Sequence, residues 1–149
     1  MQEAMARILA IDYGRKRTGL AVTDDLQIIA SGLTTVNSAE TIAFLSDYLS
    51  GEKVECFVVG LPRQMNNSPS ESVVMIESFI RSLEKKFPQV PVVRTDERFT
   101  SKIAFQTMVS AGLKKKDRQN KALVDQVSAT IILQSYLEAR NSIHQRIKP

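Results

Sequence analysis

The chain has 149 residues, a net charge of +4 and a single cysteine and histidine, Cys56 and His144. That length suits one domain with a real core. The lone cysteine excludes an internal disulfide and a cysteine-based metal site, so acid–base or metal chemistry must come mainly from carboxylates. No apolar run reaches the roughly 18 residues that would span a bilayer, and MQEAMAR at the start lacks the pattern of a secretory signal; a soluble, cytoplasmic protein is expected.

The first element is the short apolar run Arg7–Asp12, which ends on an acid and is followed at once by Gly14 and the basic knot Arg15, Lys16 and Arg17. Thr18–Thr23 and Gln27–Val36 are β-branched and apolar, with a turn at TDDLQ, so three strands with short connections predict an antiparallel meander. A helix is expected over Ser38–Ser50, with Asn37 and Glu40 at capping-box spacing and Gly51 closing it in a left-handed conformation. Val54–Gly60 (VECFVVG) has no polar face, as in a parallel strand buried on both sides. Within it Cys56 reads as a small buried hydrophobe.

SPSE, Ser68–Glu71, is a strong helix start, and Val73, Ile76, Ile80, Leu83 and Phe87 then repeat at helical spacing up to Pro88. VPVVRT is a further strand. A helix beginning near Thr100 is closed by Gly112, a basic loop carries Lys114, Lys115, Lys116, Arg118 and Lys121, and a last helix runs from Lys121 to about Arg140, leaving 141–149 as a flexible tail of the single domain 1–149. Strand–helix–strand units impose right-handed crossovers and helices on both faces of the sheet. The reading is a mixed α/β sheet with an antiparallel hairpin pair at one side.

Three carboxylates stand in unusual places. Asp12 ends the first strand, Glu97 ends the last strand in VVRTDERFTS, and Asp125 falls on one helical stripe with Ala129, Ile132, Leu133 and Tyr136, which aims it at the sheet. Each has an ordinary explanation: Asp12 as a turn cap, Glu97 as the partner of Arg94 or Arg98, Asp125 as an acid in the favourable field of a helix N-terminus. Together they suggest a concentrated negative site at the carboxyl edge of the strands, where ligands bind in such sheets. Oxygen-only donors select hard cations such as Mg²⁺ or Mn²⁺, and surrounding Arg and Lys side chains suit phosphate. That is equipment for phosphodiester hydrolysis.

Four stretches in this order, AIDYGRKRTGLAVTD, VVGLPRQMNNS, TDERFTS and VDQVSATIILQSYL, resemble the YqgF/RuvX family over nearly the whole chain, from Ile8 to about Leu137. Two details depart from its pattern: Asn66-Asn67 stand where an Asp-Gly turn is usual, and Ser128 precedes Ala129 where Ala is frequent. The resemblance implies an RNase H-like fold with a mixed five-stranded sheet, a bacterial cytoplasmic protein, and metal-dependent cleavage of RNA in 5′-end processing of pre-16S ribosomal RNA, on a pre-ribosomal particle. It maps the catalytic acids onto Asp12, Glu97 and Asp125; as a hypothesis for the chemistry, these three would hold two Mg²⁺ or Mn²⁺ ions, with Asp12 shared between them. Arg15, Lys16 and Arg98 are then candidates to hold phosphates near the scissile bond. Arg63, Asn66 and Asn67, and the Lys114, Lys115, Lys116, Arg118 and Lys121 group, would meet the nucleic acid further out.

Three other functions are compatible with parts of the pattern. A Holliday junction resolvase would use the same chemistry on branched DNA but needs a dimer, and with no clear apolar dimer patch in the sequence a monomer is expected. A nucleotide-binding domain of the actin and sugar-kinase type needs two such domains. A nucleic-acid-binding module without catalysis would not need all three acids.

Overall fold

The computed structural model describes residues 6–61, 71–96 and 121–147. Five strands, β1 (Arg7–Tyr13), β2 (Arg17–Thr23), β3 (Ala30–Asn37), β4 (Val54–Leu61) and β5 (Val92–Asp96), form one sheet in the order β3-β2-β1-β4-β5. The β1–β2 and β2–β3 pairs are antiparallel, whereas β4 runs parallel to β1 and β5 parallel to β4. The expected meander and parallel pair are therefore both present, on opposite sides of β1.

Strand alternation sorts the apolar side chains onto two faces. Leu9, Ile11, Leu20, Val22, Phe57 and Val59 pack with Leu45 of α1 (Thr41–Gly51) and with Ile76, Phe79, Ile80 and Leu83 of α2 (Glu71–Lys86). Ile8, Ala10, Ala21, Cys56 and Val58 face Ala129, Ile132, Leu133 and Leu137 of α3 (Lys121–Ile147). Helices thus cover both faces. Cys56 is a free, buried thiol, as its apolar surroundings suggest. Among the described residues no helix is long and apolar enough to cross a membrane.

Four local expectations are corrected. Residues 38–40 form a 3₁₀ turn before α1, because the Asn37 side chain accepts the Ala39 amide at 3.1 Å and caps that turn rather than the α-helix. Gly51 ends α1 as its last helical residue and does not adopt a left-handed φ. The third strand starts at Ala30 rather than Gln27: the Asp24 carboxylate accepts the amides of Leu26, Ile28 and Ile29 at 3.2, 2.8 and 2.8 Å, which draws that segment into the turn, with Gln27 at φ 59°. This turn leaves Leu26, Ile28 and Ile29 exposed, an apolar tip that the strand pattern does not foretell. Finally, α3 continues through Ile147, past the expected end at Arg140.

The helix start at Ser68 and the helix from Thr100 to Gly112 lie outside the described residues.

Candidate active site at the carboxyl edge of the sheet

Asp12 continues the Ile8–Ala10 alternation and so belongs to the α3 face of β1; it is half-buried, at the end of a strand whose residues Ile8–Ile11 are fully buried. Tyr13, next in the chain, turns to the opposite face and stacks on Phe79, with ring centroids 4.1 Å apart and planes 15° apart. Its β-sheet partner is Thr18, and that of Asp12 is Gly19.

Gly19 admits α3 to the sheet. A Cβ at this position would collide with the backbone carbonyl of Asp125, so only glycine lets the helix lie this close. The same end of α3 is fixed twice more. Thr35 Oγ1 on β3 donates to the Ala122 carbonyl at 2.6 Å, and Arg17 Nε on β2 donates to Asp125 Oδ2 at 2.8 Å. Asp125 is the fifth residue of α3, and the first turn contains no acid. The helix-terminal field, which decays within that turn, is therefore a weak reason for a carboxylate here. Its side chain is 22% exposed, consistent with the inward stripe that also contains the buried Ala129, Ile132 and Leu133.

The parallel strands β1, β4 and β5 end at one edge, with Leu61 opposite Asp96. Glu97 lies just beyond the described residues, so Asp12 and Asp125 are the site acids that can be located. No cluster of three His, Cys, Asp or Glu side chains occurs among the described residues. Arg94, an alternative partner for Glu97 in the sequence, binds both oxygens of Glu77 through its Nε and Nη2 at 3.0 and 2.9 Å.

The cations separate into three groups. Arg15 and Lys16 are exposed on the turn that follows Asp12, and Arg15 pairs with Glu71 at 2.9 Å while both side chains remain largely in solvent. Arg17, which in the sequence is one more member of the basic knot with no role of its own, turns to Asp125 instead. A β2 residue two positions before Gly19 lies on the same face as Gly19, and that periodicity was the available signal. Lys121 is the first residue of α3, and its side chain is not among those described. Arg63, Asn66, Asn67, Arg98, Lys114, Lys115, Lys116 and Arg118 also lie outside the described residues.

The order β3-β2-β1-β4-β5, with three antiparallel strands, two parallel ones and helices on both faces, is the RNase H-like architecture of RuvC. A solved structure titled "T. thermophilus RuvC in complex with Holliday junction substrate" superposes with a TM-score of 0.55 at 18% identity, covering 91% of this chain and 95% of that one. A second Thermus thermophilus RuvC structure gives the same TM-score at 17% identity. A family model described as RuvX, Holliday junction resolvase, matches residues 6–139, and the chain belongs to that family. Proteins named "Putative pre-16S rRNA nuclease" are similar throughout: that of Bacteroides thetaiotaomicron is 62% identical over 91% of this chain and 99% of its own, and that of Flavobacterium psychrophilum 62% identical over 89% and 97%.

Proposed function

We propose that this protein is a metal-dependent nuclease that hydrolyses phosphodiester bonds in RNA, acting in the cytoplasm on the 5′ end of pre-16S ribosomal RNA within a pre-ribosomal particle. The observation that supports the reading is the close seating of the Asp125 backbone on Gly19, the strand partner of Asp12, on the sheet face to which Asp12 belongs. The substrate class is supported by the names of relatives 62% identical over almost their full length.

The donor set fits a hard divalent cation, because it consists of carboxylate oxygens with no sulfur or imidazole. Asp12, Asp125 and Glu97 would hold Mg²⁺ or Mn²⁺, in two-ion form by analogy with other phosphodiester nucleases. Such ions, when bound, lower the pKa of water and stabilise the departing oxygen. The chain's own residues position the substrate. Arg15 and Lys16, exposed beside Asp12, neutralise and orient the phosphate backbone. Arg98 adds charge after Glu97, and Arg63 and the Lys114–Lys121 group extend the contact along the strand. Arg17 orients the Asp125 carboxylate through Oδ2.

The test is an Asp12→Asn protein assayed on RNA with Mg²⁺ or Mn²⁺. The expected loss is about a hundredfold or more, the scale of several kcal/mol of charge stabilisation. Undiminished cleavage would remove the metal-site reading. In cells, depletion should make pre-16S 5′ ends accumulate, and Asp12→Asn should fail to restore them.

The family description favours a second reading, cleavage of branched DNA. That activity requires two active sites spaced to a four-way junction, so symmetric nicking of a synthetic junction by a dimer is the result that would support it over RNA processing.

A further inference from the structure

Ser38 sits at the junction of β3 and α1 and is 7% exposed. A buried hydroxyl requires bonding partners, and those of Ser38 among the described residues lie in the turn that follows Asp12 and at the start of β2. Its Oγ donates to the Gly14 carbonyl at 2.6 Å and lies 2.9 Å from Thr18 Oγ1. With the Ser38 proton committed to Gly14, Thr18 is the donor in that pair. The Ser38 amide donates to the Lys16 carbonyl at 2.9 Å. One residue thus grips the turn on both limbs. Within the turn, a Cβ at Gly14 would lie 2.5 Å from the Arg17 carbonyl, so the backbone is tightly folded where Ser38 holds it.

This turn carries Arg15 and Lys16 and leads directly into Arg17, the partner of Asp125. We propose that Ser38 is a positioning residue of the site: its clamp on Gly14, Lys16 and Thr18 fixes the basic turn so that Arg15 and Lys16 meet a phosphate at a set distance from Asp12. Ser38 touches no reacting atom and acts through the turn. The inference rests on the nuclease reading above. Arg15 is free to make the contact because its pair with Glu71 is 71% and 88% exposed, and such pairs are weak in water. A fixed turn lets that arm exchange Glu71 for a phosphate without first ordering its own backbone, a cost that otherwise subtracts from binding.

A contribution to general stability is the competing explanation, and β2 supplies an internal control. Thr23, fully buried at the other end of the strand, accepts the Ile8 amide and donates to the Asp24 carbonyl, both at 2.9 Å. It lies about 17 Å along the strand from Thr18 at 3.3 Å per residue. Thr23→Val therefore removes comparable bonds far from the turn.

The experiment places Ser38→Ala, Ser38→Thr and Thr23→Val in the Asp12→Asn background, where RNA stays intact. It reads binding to single-stranded RNA across a salt series and amide exchange of Arg15–Thr18 in the free protein. Ser38→Ala is expected to speed that exchange tenfold or more and to weaken RNA binding several-fold, with the salt slope reduced by about 0.7 for each phosphate no longer neutralised. Thr23→Val should change neither. Ser38→Thr keeps the hydroxyl, and the open cleft of about 300 Å³ that Ser38 lines with Tyr13, Ala39 and Ile42 gives its methyl room, so binding and slope should return towards wild type. Ser38→Ala indistinguishable from Thr23→Val in slope and exchange overturns the proposal while leaving the nuclease reading intact. An Arg15→Gln/Lys16→Gln variant with an unchanged slope would instead remove the turn from the RNA surface, and the positioning role with it.

Discussion

Arg17 and Asp125, 108 residues apart in the chain, are joined by a hydrogen-bonded ion pair of 2.8 Å between β2 and α3. The pair ties the strand that neighbours Asp12 to the helix that supplies the second acid. With the two side chains 40% and 22% exposed, its contribution to stability is small, below about 1 kcal/mol once solvent screening is allowed for. Its larger effect is on where the carboxylate points. Arg17→Gln should therefore shift the melting temperature little yet lower the cleavage rate about tenfold or more, equivalent to ~1.4 kcal/mol of transition-state stabilisation. A parallel fall in stability and rate would make Arg17 a simple structural residue.

Gly19→Ala tests the close approach. The added methyl would meet the Asp125 carbonyl, which is helix backbone and cannot rotate away. Either α3 lifts from the sheet or β2 shifts, and overpacking of this kind costs about 1–3 kcal/mol. The variant should melt lower and bind Mn²⁺ more weakly, read by calorimetry in the absence of RNA. A folded Gly19→Ala protein with unaltered metal affinity would separate the helix position from the site.

Glu77 and Arg94 provide a pH-dependent contribution remote from the chemistry. The Arg94 hydrogen bonds hold the Glu77 carboxyl below its ordinary value of 4.5. A depressed carboxylate pKa stabilises the fold above the unfolded-state value, and that stability is lost as pH falls through the folded-state value. The two side chains are 33% and 39% exposed, so the effect at neutral pH is below about 1 kcal/mol. Glu77→Gln should lower the urea midpoint at neutral pH and lose its difference from wild type as acid titrates the carboxyl below 4.5. A difference that persists at low pH would point to packing instead of charge.

Cys56 reports on integrity of the α3 face. Burial pushes its thiol above the ordinary value of 9.0, so at neutral pH little thiolate is present and the sulfur is shielded beneath α3. Alkylation should be slow in the native protein and accelerate with urea in step with unfolding. Fast modification of the native state would mean that α3 opens locally from β1 and β4.

The antiparallel meander, the buried parallel strand and helices on both faces were legible from the sequence, because the apolar runs of β1, β2 and β4 and the helical spacing in α2 and α3 are consequences of which side chains must leave water. The order of the strands came from the fold. Asp125 was legible for the same reason: its helical phase matches Ala129, Ile132 and Leu133, and that phase is a property of the helix alone. Arg17 was not, because its partner is 108 residues away and its neighbours Arg15 and Lys16, identical in charge, remain in solvent. Nor was Ser38, an ordinary polar residue until the fold buries it against the turn. Local periodicity therefore determined which elements form and which faces they bury. Only tertiary structure decided that a missing Cβ at Gly19 seats Asp125 beside the strand of Asp12, and that one serine holds the basic turn, since both depend on close approaches between segments that no local pattern encodes.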